Sequence, residues 1–297
     1  MTLTDILLTE KLSGPEVLLV LLGIGGGAIG LMYVIGWGLK KTAEAVSDVA
    51  DSKAVLDLRY GKEFRDKVLT LLDDFVYFRR LSPGGKEKFI DRVVYHYSKK
   101  EFEGENGYEP DEKIRIHICA TAAQLTFGMS KDWLTGIETI RLYPENFRLY
   151  AGGPLMKGAT SPSGTLFISV KDYEEGYRNG SDNFNVGLHE FGHQLFIEFL
   201  TAAKEDDAVK QVLFPYDAEA EKELAKKDRT EVFLRKYAFT NRHEFFAVSI
   251  ETFFESPVDF SHRLPELYRI LSQMLNQDPR NSAADYAVQA ETGDMGI

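Results

Sequence analysis

His189 and His193 stand four residues apart around Glu190 in the stretch VGLHEFGHQLFIEF, Val186 to Phe199. On a helix, positions i and i+4 share a face, so both imidazoles aim at one point while Glu190 sits at the edge of that face. Two neutral imidazoles suit a divalent ion, Zn2+ above all, and a free carboxylate beside the ion is what a general base for water requires. A purely structural core helix gains nothing from His, Glu and His on one side, because burying each group carries a desolvation cost. The pattern predicts a metal centre with its base built in.

A catalytic zinc usually takes three protein ligands, so one more must come from elsewhere in the chain. His96, His117, His243, Glu244, Glu251, Glu255 and His262 all qualify by type. The richest source is NRHEFFAVSIETFF, Asn241 to Phe254, where Glu244 and Glu251 fall seven apart with Glu255 four further on. On one helix face, one carboxylate could bind the ion while a neighbour holds a ligand histidine. Helical spacing alone leaves the choice open.

Several segments in order carry a wider pattern: LSPGGKEKFIDRVVYHYSKKEFEG, IRIHICATAAQLTFG, IETIRLYPENF, GLHEFGHQL and YAFTNRHEFFAVSIETFFESP. Together they span Leu81 to Pro257 and resemble the Mlc titration factor A family of zinc-dependent peptidases, whose catalytic module is similar to that of anthrax lethal factor. The resemblance implies a zincin-like domain with Glu244 as third ligand and Tyr237 stabilising the oxyanion. It also implies Glu190 as base, Glu251 as a second acidic position on the same helix, and a peptide or protein as substrate. A transcriptional regulator is implied as partner, so a metal-containing module that sequesters a regulator with little hydrolysis is the second function expected. The chain departs from the family in carrying LF, Leu195 and Phe196, where LD is common, and in its apolar N-terminal run.

That run, Val17 to Leu39, has no charged residue. As a helix it reaches roughly 35 Å, enough for a bilayer core. It predicts a single transmembrane helix. A signal peptide fits less well, since no basic segment precedes the run and no small-residue cleavage site follows it. Gly25, Gly27 and Gly30 spell GxGxxG within it, but the apolar character continues through Trp37 instead of giving way to an amphipathic helix, which argues against a dinucleotide site. Lys11 alone precedes the run, whereas Lys40, Lys41, Lys53 and Arg59 follow it, so the remainder is expected on the cytoplasmic side. A net charge of −11 without a basic cluster argues against a nucleic-acid partner.

These readings divide the chain into a short segment 1–16, a transmembrane helix 17–39, a helical stalk 40–60, a zinc peptidase domain 61–275 and a C-terminal tail 276–297, loosely ordered from Asn281 onward. The domain reads as α+β and mainly helical, with helices over Glu63–Phe78, Gly85–Lys99, Asp111–Phe127 and Phe245–Phe254, the last ended by Pro257. IETIRLYP and GTLFISV, Ile137 to Pro144 and Gly164 to Val170, read as strands of a small sheet, the second as an edge that could pair with an extended peptide. KEDDAVKQVLFPYDAEAEKELAKKDR, Lys204 to Arg229, reads as a solvated insertion with some helix. The lone Cys119 reads as a buried, inert thiol.

Overall fold

The computed structural model describes residues 53–129, 133–226 and 232–288. Val17 to Leu39 and the stalk up to residue 52 lie outside the described residues; among those described, no helix is long and apolar enough to cross a membrane. Helix α1, Lys53–Leu71, is interrupted at Gly61, whose φ of 63° and ψ of 179° no helix contains. There the chain divides into two units, one up to Gly61 and one from Lys62 onward. All elements below belong to the second.

That unit is α+β and mainly helical. α2 (Val76–Arg79) and α3 (Pro83–Lys99) come first. Ser82 to Gly85, SPGG, start α3, with Ser82 accepting a hydrogen bond from the Gly85 amide and Pro83 in the first turn, where its missing N–H costs nothing. After β1 (Glu101–Gly104), α4 (Glu112–Thr126) is capped by Asp111 and is buried almost throughout. It contains Cys119, fully buried, whose thiol burial pushes up to about 12.

β2 (Thr139–Tyr143), β3 (Gly158–Thr160) and β4 (Thr165–Ser169) complete the described sheet, in the order β1-β2-β4-β3. β1, β2 and β4 run parallel, and β3 pairs antiparallel with β4. Ile140 opposite Leu166 and Leu142 opposite Ile168 are wholly buried, which is the period-two pattern of a sheet with one face on the core. The expectation that β4 is an edge is corrected here: β2 and β3 flank it, and β1 and β3 are the edges of the described sheet. β1 and β3 escape sequence reading because one is short and mostly exposed and the other has three residues.

α5 (Val170–Arg178) leads to α6 (Val186–Ala202), the helix that carries His189, Glu190 and His193. Then α7 (Asp207–Leu224) corrects the reading of a solvated insertion. Val209, Leu213, Tyr216 and Ala220 recur at helical spacing and are buried, so one face packs while the charges occupy the other. Tyr216 meets the rings of Phe196 and Phe246. A short 3-10 turn, Lys236–Thr240, precedes α8 (Arg242–Glu255), which is buried from Phe245 to Phe253. Pro257 does not simply end it but opens α9 (Pro257–Arg263) at its first position, followed by α10 (Pro265–Leu275).

The expectation of loose order from Asn281 onward is also corrected as far as that stretch is described, and the residues just before it are secured as well. Gln277 accepts from the Tyr77 hydroxyl at 2.6 Å and donates to the carbonyls of Gln124 and Leu125. Tyr286 is 2% exposed and stacks on Tyr77 with ring centroids 4.0 Å apart. Removing a buried aromatic ring leaves a cavity, so Tyr286→Ala should lower unfolding free energy by about 3 kcal/mol. Chemical denaturation checks this; an unchanged midpoint would mean the segment contributes nothing to the fold.

Candidate metal centre

α6 begins where Asn185 accepts a hydrogen bond from the Leu188 amide. Leu188, Phe191, Leu195 and Phe199 anchor one side of the helix in the core. α8 begins at Asn241, whose side chain accepts from the amides of His243 and Glu244. The two helices meet at Gly192: a Cβ there would stand 3.3 Å from Ala247 Cα, tighter than ordinary contact. Glu244 and Glu251 lie one turn to either side of Ala247, so this close approach brings both carboxylates to the imidazoles.

His189 Nε2 and His193 Nε2 are 3.1 Å apart, and Glu244 Oε2 lies 3.1 Å from the first and 3.4 Å from the second. That oxygen is buried yet has no hydrogen-bond partner, although two ring nitrogens face it. The three atoms form a compact triangle, each within 4.8 Å of the others. A tetrahedral ion with ligand bonds of about 2.0–2.1 Å separates its ligand atoms by about 3.3 Å, so this triangle fits a divalent metal of zinc's size. Among the described residues, these three form the cluster able to hold such an ion.

Neighbouring groups orient two of these three candidates, His189 and Glu244. His189 Nδ1 lies 2.5 Å from Glu251 Oε1, which makes that nitrogen the donor and leaves Nε2 free toward the centre. Glu251, 1% exposed, also accepts from the Arg235 guanidinium at the same oxygen and from the Asn185 amide, at 2.7 Å, through Oε2. Burial opposes charge on His189, but Glu244 and Glu251 outweigh it and hold the imidazole's pKa up at about 9. Burial likewise disfavours charge on Glu244, yet the two imidazoles carry its carboxyl well below the usual range.

Glu190 stays outside the triangle. Its Oε2 accepts from the Thr160 hydroxyl on β3 at 2.9 Å, and the group is 5% exposed. Burial raises its pKa, against the pull of both imidazoles. The carboxylate lies against Gly158, where a Cβ would come within 2.7 Å of Glu190 Oε1, so the edge strand can approach only as glycine. Tyr237 donates to Glu244 Oε1 at 3.1 Å; burial first, and the Glu244 charge second, push its phenol up to about 12. The remaining candidates lie elsewhere. His243 is exposed beside the Phe196 ring, and His262 is exposed on α9. His96 faces Thr126 and His117 the Leu71 carbonyl. Glu255 reaches the Asn185 side chain at 3.2 Å. Sequence reading missed Arg235, Thr160 and Gly158, none of which has a spacing relation to the motif; Asn185 was readable as a helix cap.

The fold and this cluster define a metallopeptidase-like protein. A family model described as glucose-regulated metallo-peptidase M90 matches residues 59–276, and the chain belongs to that family. It is 25% identical over 234 residues to a Synechocystis protein of uncharacterised function, covering 70% of this chain and 82% of the relative. Mlc titration factor A of Cronobacter sakazakii is 22% identical over 67% of this chain and 82% of its own length. The corresponding protein of Klebsiella pneumoniae is 23% identical over 71% and 86%.

Because Glu251 orients His189 without joining the triangle, Glu251→Gln should weaken metal affinity by about 10- to 100-fold while leaving the fold intact. Competition with a chromogenic chelator measures this. Affinity equal to that of the wild type would show that the His189–Glu251 contact has no bearing on the ion.

Proposed function

We propose that the chain is a membrane-anchored zinc metallopeptidase that hydrolyses peptide bonds, with His189, His193 and Glu244 as ligands. The observation that carries this reading is the convergence of three donor atoms on one centre with the Glu190 carboxylate beside them and outside the set. A zinc ion held there would supply Lewis acidity, lowering the pKa of water and polarising the scissile carbonyl.

The chain's own groups do the rest. Glu190, buried and steadied by Thr160, takes the proton of the attacking water at its carboxylate and returns it to the leaving amine. Its raised proton affinity suits both directions of transfer. Tyr237 turns its hydroxyl from Glu244 to the oxygen that becomes negative in the tetrahedral intermediate, remaining a donor at neutral pH. The free edge of β3, next to Glu190, receives the substrate as an additional strand. In this reading Val17 to Leu39 is the anchor, and the basic residues after it favour a catalytic unit on the cytoplasmic side.

The names of the Cronobacter and Klebsiella relatives support a second reading, in which the metal-containing unit sequesters a transcriptional regulator and hydrolyses little. The presence of Glu190 and Tyr237 beside the triangle favours chemistry, since sequestration needs neither. The test uses the full-length chain in detergent: zinc content and peptide hydrolysis for the wild type and Glu190→Gln. The expected result is one zinc in each, with turnover in the variant down by about 10²- to 10⁴-fold. Equal turnover would remove Glu190 from the mechanism; bound zinc without hydrolysis across a broad peptide library would leave the sequestering module.

A further inference from the structure

A cleft of 370 Å³ opens beside the centre on the Glu190 side, toward the amino end of α6. It reaches from His189 and Glu190 to the 154–158 segment and to Phe184. Two large apolar side chains on its rim are exposed to solvent, Leu155 at 58% and Phe184 at 54%. A single exposed apolar residue means little, but two facing one concave surface next to a reactive centre call for an occupant.

Phe184 is held in that position by three independent contacts. Its amide donates to Asp182 Oδ1 at 3.0 Å. Its carbonyl oxygen lies where a Cβ at residue 176 would stand 2.5 Å away, so Gly176 is what admits it. The Arg235 guanidinium covers one face of the ring, with Cζ 4.5 Å from the centroid. A flat cation over an aromatic face is attractive and stiffens both partners. Arg235 is in turn fixed by Glu251, so the ring is braced by the same carboxylate that orients His189.

Apart from Glu190, whose carboxylate accepts from the Thr160 hydroxyl, the charged groups that border the cleft are paired with one another. Lys157 Nζ lies 2.7 Å from Asp172 Oδ1, Arg235 bonds Glu251, and His189 shares that carboxylate. What the cleft offers an incoming residue is therefore its apolar walls, Phe184, Leu155 and Val186.

We propose that these three walls form a subsite for an apolar side chain adjacent to the scissile bond, with Phe184 as the specificity-determining residue. This rests on the peptidase reading and adds its substrate preference: peptides with a leucine- or phenylalanine-like residue at the bond that is cut.

Small hydroxamates test it, because the chelating head fixes the register and the adjoining side chain enters the subsite. Binding of an isobutyl-substituted and an unsubstituted succinyl hydroxamate to the zinc-loaded full-length chain is measured by calorimetry. Peptide hydrolysis is followed in parallel. The isobutyl compound should bind about tenfold or more tightly, as burial of a side chain of that size warrants. Phe184→Ala should abolish the preference with zinc content and melting temperature unchanged, and Phe184→Leu should restore much of it. Equal affinities in the wild type, a preference that survives Phe184→Ala, or no binding of either compound would overturn the subsite. In the wild type, equal affinities beside intact hydrolysis defeat the subsite alone; preference without hydrolysis defeats the peptidase reading alone.

Discussion

One buried carboxylate holds this site together. Glu251, enclosed in the middle of α8, accepts from the His189 ring, the Arg235 guanidinium and the Asn185 amide. A charge so placed is tolerated only when its lone pairs are filled, and each filler comes from a different part of the chain. Asn185 begins the helix that carries the imidazoles, His189 is an inferred metal ligand, and Arg235 leads into the turn that carries Tyr237. Loss of any one contact would leave the others with an unbalanced buried charge, so the geometry is mutually enforced. The same group that steadies α6 thereby selects which ring nitrogen of His189 is free for a metal.

Reach across the two helices depends on what is absent at Gly192. With no side chain there, α8 comes close enough that a Cβ at Gly192 would stand 3.3 Å from Ala247 Cα, and the carboxylates on either side of Ala247 arrive at the imidazoles. Gly158 serves the same purpose on the opposite flank, where the edge strand closes on Glu190. The sheet supplies rigidity behind this: the buried pairs Ile140–Leu166 and Leu142–Ile168 tie β4 into the core, and β4 carries β3. The candidate ligands and Glu190 thus sit on regular elements whose separation is set by small residues.

How much of this was legible in the sequence follows from the physics of each piece. The α6 motif was readable because helix periodicity places His189 and His193 together without any tertiary information. Glu244 was not readable that way, since Glu251 and Glu255 share its helix and its chemistry; family resemblance, not spacing, separated it from them. In the structure Glu244 joins the imidazoles while Glu251 stands one layer behind. α7 was misread because charges on its outer face hid the buried row of Val209, Leu213, Tyr216 and Ala220. β3 is too short for any pattern to emerge, and Arg235 acts through a contact that only the folded chain creates. The segment through Tyr286 looked polar enough to be loose, yet a few pairings with Tyr77 and α4 secure it.

The central claim is that two imidazoles and a distant carboxylate converge on one divalent ion. X-ray absorption spectroscopy at the zinc edge of the metal-loaded chain addresses that directly. The account predicts a four- to five-coordinate ion with nitrogen and oxygen donors at about 2.0–2.1 Å, and multiple-scattering features of two imidazoles. Those features should weaken by half on His193→Ala. A spectrum of oxygen donors alone, or one unchanged by that substitution, would contradict it.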